Sequence, residues 1–144
     1  MAVRVKLRLK LLEMEEARDV VALVNSGFET TTPQLLIPRR LAEELRIWPD
    51  MLSRARIATY GTPGGIVRNY LIPEAVKVSV IEEDLETQEE LADITISEME
   101  EEVLISDKLA GKLGIILEDI GEGLYSLKSD PKRKIRKTQQ LQYW

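Results

Sequence analysis

Cysteine and histidine are both absent from this 144-residue chain. Their absence removes disulfides, thiol nucleophiles, imidazole acid–base chemistry and the usual zinc ligand sets. Any catalysis would rest on carboxylates, hydroxyls, lysine or a borrowed cofactor. No apolar run approaches the roughly 20 residues that cross a bilayer as a helix. Residues 1–6 carry no signal-peptide pattern. With no cysteine as well, a cytoplasmic protein without membrane association is expected. Asparagine occurs only as Asn25 and Asn69 among abundant charged residues, a balance that matches thermophile proteins. The net charge of -5 counts against general nucleic-acid binding. No repeat or low-complexity segment is present, and the length suits one domain with a real core.

What is present is mostly strand signal. Residues 3–11 alternate strictly, with Val3, Val5, Leu7, Leu9 and Leu11 set against Arg4, Lys6, Arg8 and Lys10. Period two predicts a half-buried strand. Its basic face reads as solvated, and it discourages edge-to-edge aggregation; a polyanion site is the weaker reading. Residues 13–19 form a turn, and the β-branched run at residues 20–24 returns as a buried strand. Asn25, Ser26 and Gly27 end it, because these residue types favour turns.

Further along, residues 30–33 predict a loop. Pro38 opens a short helix through residues 39–45, with Leu41 and Leu45 on one face. Residues 54–60 and 66–72 predict two strands joined by the glycine-rich hairpin Gly61-Thr62-Pro63-Gly64-Gly65. A phosphate-binding glycine loop fails there, since no Gly-Lys-Ser/Thr follows. Residues 75–81 predict another strand. From Glu82 to Glu102 runs an acidic stretch without Lys or Arg. Its spacing matches no calcium loop, so no metal site is assigned, and a strand is predicted near residues 92–97. Residues 103–105 are apolar. Ser106 or Asp107 then caps a short helix that Gly114 ends. Residues 115–117 and 124–127 form a closing hairpin around Gly121-Glu122-Gly123. From Lys128 the chain turns basic, with Lys132, Arg133, Lys134, Arg136 and Lys137 after Pro131. This tail is expected to be disordered, or to dock on the acidic stretch of its own or a second chain.

An apolar strand running into Asn25-Ser26-Gly27 resembles the signature of the retropepsin-like aspartic proteases, an apolar strand followed by Asp-Thr/Ser-Gly. The hairpin before it, the glycine-rich hairpin at the family's flap position and the residue 103–114 passage are similar too. The resemblance covers about residues 3–127. It implies an all-β, retropepsin-like closed barrel with one or two short helices over residues 1–127, with residues 128–144 as a basic tail. It also implies a homodimer, with each subunit supplying one catalytic residue, and no cofactor.

The family's chemistry uses two carboxylates about 3 Å apart that share one proton. Here Asn25 stands at the position of the catalytic Asp, and an amide is no base. Ser26 matches the residue whose hydroxyl reaches the other subunit's loop. Gly27 lets substrate backbone approach. Phe28 replaces a small residue and would fill part of the substrate cleft. Glu29 falls near the family's substrate-holding Asp. Tyr60, Gly61, Gly64 and Gly65 belong to the flap and are expected to touch substrate. The implied function is a catalytically inactive domain that binds a peptide or unfolded segment or serves assembly. The alternative is an active aspartic endopeptidase carrying an Asp-to-Asn exchange. A β-rich scaffold or nucleic-acid module acting through the basic tail is a third class.

Overall fold

The computed structural model describes residues 1–12, 14 and 16–144. Strands β1 (Arg4–Leu11) and β2 (Ala17–Val24) form the first hairpin, in a register that sets Leu7 opposite Val20. Glu13 and Glu15, in the expected turn, lie outside the described residues. The second strand begins at Ala17 rather than residue 20, because Ala17 to Asp19 pair with Lys10 to Arg8. A 3.1 Å contact between Arg8 Nε and Asp19 Oδ1 reinforces that end. The alternating pattern of β1 buries Val3, Val5, Leu7, Leu9 and Leu11 on one face.

The chain continues through β3 (Gln34–Pro38), α1 (Arg39–Glu44), a 3-10 turn (Leu52–Arg54), β4 (Arg56–Thr62) and β5 (Gly65–Val80). Then follow β6 (Glu90–Ser97), β7 (Val103–Ile105), α2 (Asp107–Lys112), β8 (Ile115–Asp119), β9 (Leu124–Leu127) and β10 (Arg136–Lys137). Strand order in the main sheet is β1-β2-β7-β3-β6-β5, and β5 pairs back onto β1. Six strands therefore close into a barrel, with β4 attached to β5 alone. The fold is all-β with two short helices, as the sequence leads one to expect. Its interior holds Leu7, Leu9, Leu35, Ile37, Ile94, Ile96 and Ile105, each at most 1 % exposed. Side chains fill a barrel of this size completely. Among the described residues no helix is long and apolar enough to cross a membrane.

Three sequence expectations change. Residues 66–72 and 75–81 are one strand, β5, with a bulge between Ile72 and Val76. Pro73 has no N–H to offer the ladder and Glu74 sits at φ 47, so the sequence reads as a break where the strand only bends. The glycine-rich joint shrinks to Pro63-Gly64, because Thr62 already pairs with Gly65. Residues 34–38, which carry no alternation, form a fully buried strand between β6 and β7. A strand covered on both faces has no polar side to mark its period. Pro38 ends that strand and serves as the N-cap of α1.

The caps follow chemistry. The Ser106 hydroxyl, fully buried, accepts from Leu109 N–H at 3.3 Å and from Gln34 N–H at 3.0 Å. One oxygen thus closes α2 and holds β3. Gly114, at φ +74, follows the helix end.

The charges pair off across the barrel. Arg4 meets Glu102, Arg8 meets Asp19 and Glu86, Lys10 meets Glu89, and Arg39 meets Glu43 and Glu98. Arg4, Arg8 and Lys10 of the basic face of β1 are therefore compensated, while Lys6 is exposed and has no carboxylate partner among the described residues. The tail docks on the acidic stretch of its own chain. β10 pairs with β9, and Thr138 packs so closely over Gly123 that a Cβ there would lie 2.8 Å from its methyl. Arg136, with a side chain 5 % exposed, donates to Asp84 at 2.7 and 2.9 Å and to Asp130 at 3.0 Å. At Trp144 the backbone N–H donates to the Glu101 carbonyl at 2.8 Å and the ring lies under the Arg18 guanidinium.

Two measurements follow from these contacts. Ser106→Ala leaves two buried N–H groups without an acceptor. It is expected to cost about 1–3 kcal/mol in urea unfolding, and an unchanged midpoint would overturn the assignment. The Arg136 guanidinium holds the Asp84 carboxyl down to about 2, below its ordinary value of about 3.9. A folded-state pKa that is depressed adds stability above the unfolded value, and this stability is lost as pH falls through the folded one. The wild-type unfolding midpoint should therefore drop between about pH 4 and pH 2, more steeply than that of Asp84→Asn. Superimposable profiles would show that the clamp contributes nothing.

Candidate functional site

Strand β2 ends at Val24, and the chain turns at once. The Asn25 Oδ1 accepts from Gly27 N–H at 3.0 Å, while the Asn25 carbonyl accepts from Phe28 N–H at 3.0 Å. This is the local turn that Asx side chains build. A Cβ on Gly27 would lie 3.3 Å from Asn25 Oδ1, so the closeness of the turn rests on glycine. Beyond it, Asp107 N–H bonds to the Phe28 carbonyl at 3.0 Å, and Asp107 Oδ1 accepts from Thr30 N–H at 3.1 Å. The first residue of α2 thereby pins the loop that follows the turn. Parallel pairing of β2 with β7 brings these two segments side by side, with Val24 opposite Ile105.

The β4–β5 hairpin projects over this loop. Between them lies a cleft of about 640 Å³. Of the residues expected at a site, Asn25, Gly27, Phe28, Glu29, Tyr60 and Gly61 line it. Ser26 is exposed and opens onto a separate cavity of about 240 Å³ with Ala2, Val3, Leu117 and Ile120. Gly64 and Gly65 form the exposed hairpin tip and do not line the cleft.

The aromatic pair spans the cleft. The Phe28 and Tyr60 rings meet edge to face, 5.8 Å between centroids, a favoured aromatic geometry. Phe28 thus takes up cleft space and also contacts the hairpin. The Tyr60 hydroxyl donates to Gln34 Oε1 at 2.8 Å and lies 3.3 Å from Thr95 Oγ1. Burial pushes the Tyr60 hydroxyl pKa up, so it stays a neutral donor. Gln34 in turn donates to Thr32 Oγ1, which bonds Asp93 at 2.7 Å. The hairpin is tied to the barrel floor through this network.

Sequence reasoning missed Leu36, Val67, Asn69, Ser97, Met99, Glu100 and Leu104, which also line the cleft. Asn69 carried a usable signal, as one of only two asparagines in the chain and a poor strand former in an apolar run. It is 5 % exposed, and its carboxamide has no hydrogen-bond partner among the described residues. Both asparagines line one cleft.

Chemically the cleft offers two carboxamides, a tyrosine hydroxyl, a serine, threonines and the carboxylates of Glu29 and Glu100. The carboxamides donate and accept hydrogen bonds but do not take up a proton. Among the described residues no group of three acidic side chains gathers as metal ligands. No protein-family model and no curated protein matches this chain.

Removing the Tyr60 hydroxyl should loosen the hairpin specifically. Tyr60→Phe is expected to cost about 1 kcal/mol of stability and to speed amide hydrogen exchange in β4 more than in β1. Equal changes in both strands would place the effect elsewhere.

Proposed function

We propose that the chain is a catalytically silent, peptide-binding domain of retropepsin-like architecture. The observation that carries this reading is the placement of Asn25. It sits at the base of a cleft covered by a hairpin, at the end of a strand, in the position where that family holds its catalytic carboxylate. An amide there keeps the hydrogen-bonding geometry of the turn and has no base to activate water. The cleft lining mixes apolar side chains with the Asn25 and Asn69 carboxamides, a composition suited to a peptide.

A homodimer belongs to the same reading. Its support is the exposure of Ser26 beside the cavity that Ala2, Val3, Leu117 and Ile120 line, with Met1 and Ile120 largely exposed. A cytoplasmic location also belongs to it, in keeping with a chain that contains no cysteine. The second reading is an aspartic endopeptidase silenced by an Asp-to-Asn exchange. It is favoured by the fact that a carboxylate is nearly isosteric with the Asn25 amide and would accept the same Gly27 N–H bond.

A paired assay tests both. The chain and its Asn25→Asp variant are incubated with an unfolded protein substrate from acid to neutral pH, and their mass is followed by sedimentation equilibrium. The proposed reading expects a dimer, binding of unfolded segments and no cleavage by the chain itself. Cleavage by the Asn25→Asp variant alone would favour the silenced endopeptidase. Cleavage by the chain as it stands would overturn both, and a strictly monomeric species would remove the dimer.

A further inference from the structure

The acidic stretch is compensated only in part. Glu86, Glu89, Glu98 and Glu102 each have an Arg or Lys partner. Glu100, between the last two, has none among the described residues, and neither has Glu29. These two carboxylates reach the cleft from opposite elements, Glu29 from the loop after Asn25 and Glu100 from the segment between β6 and β7. No Lys or Arg lines the cleft. Its charge is therefore negative and uncompensated, while its remaining walls include Phe28, Leu36, Val67, Met99 and Leu104.

A second, independent feature points to a ligand. The Asn69 carboxamide is nearly buried, opens on the cleft and bonds to nothing in the chain. Its polar atoms are not sealed from solvent, so they are open to a group that enters the cleft. A peptide group of a bound segment satisfies both its donor and its acceptor. β4 also stands at the open end of the strand order, so one edge of it carries backbone groups with no strand partner. An extended segment recognises such an edge.

We infer that the cleft selects an extended segment in which a lysine or arginine lies next to an apolar residue. Glu29 and Glu100 take the cation, and the Asn69 carboxamide takes a peptide group. This rests on the peptide-binding reading above. A cation in the cleft meets two carboxylates and no competing Lys or Arg, although both carboxylates are exposed. Their selectivity is therefore written into the site, beyond the net charge of the chain.

Fluorescence anisotropy with labelled eight-residue peptide pools separates the possibilities. The pools share Leu, Val and Ala at the flanks and differ only at the centre, which is lysine, norleucine or glutamate. At about 150 mM salt, where long-range attraction is screened, the lysine pool should bind at least about tenfold tighter than the norleucine pool, a difference of about 1.4 kcal/mol. The double variant Glu29→Gln/Glu100→Gln should bring the two pools within about twofold while leaving thermal unfolding unchanged, as both side chains are exposed and unpaired. Glu122→Gln removes one charge away from the cleft and should leave the preference intact. Asn69→Ala should weaken the lysine and norleucine pools alike. If lysine and norleucine pools bind equally, cation selection falls and peptide binding stands. If Glu122→Gln abolishes the preference as the double variant does, bulk charge explains it and the inference falls. If no pool binds, both the inference and the peptide-binding reading fall.

Discussion

Antiparallel pairing of β1 with the far end of β5 closes the sheet, and the rest of the molecule depends on that seam. Leu7 to Leu11 lie opposite Val80 to Val76, so β1 is paired on both sides. An open edge at this point would leave a row of backbone groups unpaired and would expose the apolar face of β1. Closure requires β5 to serve three neighbours in turn. Its first half pairs with β4, its middle with β6 and its last residues with β1. The bulge at Pro73-Glu74 lets one strand bend far enough to do so. Glu74 N–H is not lost there, since Asp93 Oδ1 accepts it at 2.8 Å.

The site is a consequence of the same closure. Two parallel pairs, β2 with β7 and β3 with β6, sit within an otherwise antiparallel ring. Parallel neighbours end on the same side, so the loop after β2 and the helix after β7 emerge together. Asp107 then holds the Asn25 loop from α2, and the hairpin β4–β5 folds over both. A rigid barrel presents a turn, a helix start and a hairpin to one cleft, which is how scaffolds commonly display functional loops.

Charge distribution tells a related story. Most of the ion pairs are partly exposed and individually worth little. Their pattern still matters, because it sets Arg4, Arg8 and Lys10 of β1 and Arg136 of the tail against carboxylates of the acidic stretch. Arg136 is the exception in energy, buried between Asp84 and Asp130, with Glu82 near by. Burial and that same carboxylate push the Tyr125 hydroxyl pKa up, which keeps the tyrosine neutral and bonded to Glu82. Glu29 and Glu100 are the acidic side chains that line the cleft, which no Lys or Arg lines.

Local pattern alone determined a good deal: the alternation of β1, the turn at Asn25-Ser26-Gly27, the hairpin, the Ser106 cap and the all-β class. Each depends on residues within a few positions of one another, where side-chain period and turn chemistry act directly. Only the tertiary structure decided the rest. It joined residues 66–72 and 75–81 across a proline, made a strand of residues 34–38 and ordered the tail on its own chain. It also set Asn69, Met99 and Glu100 across the cleft from Asn25, and turned Ser26 away from it. The physical reason is that burial and hydrogen-bond closure are non-local. A strand covered on both faces shows no period, and a proline breaks a ladder only where its missing N–H is needed.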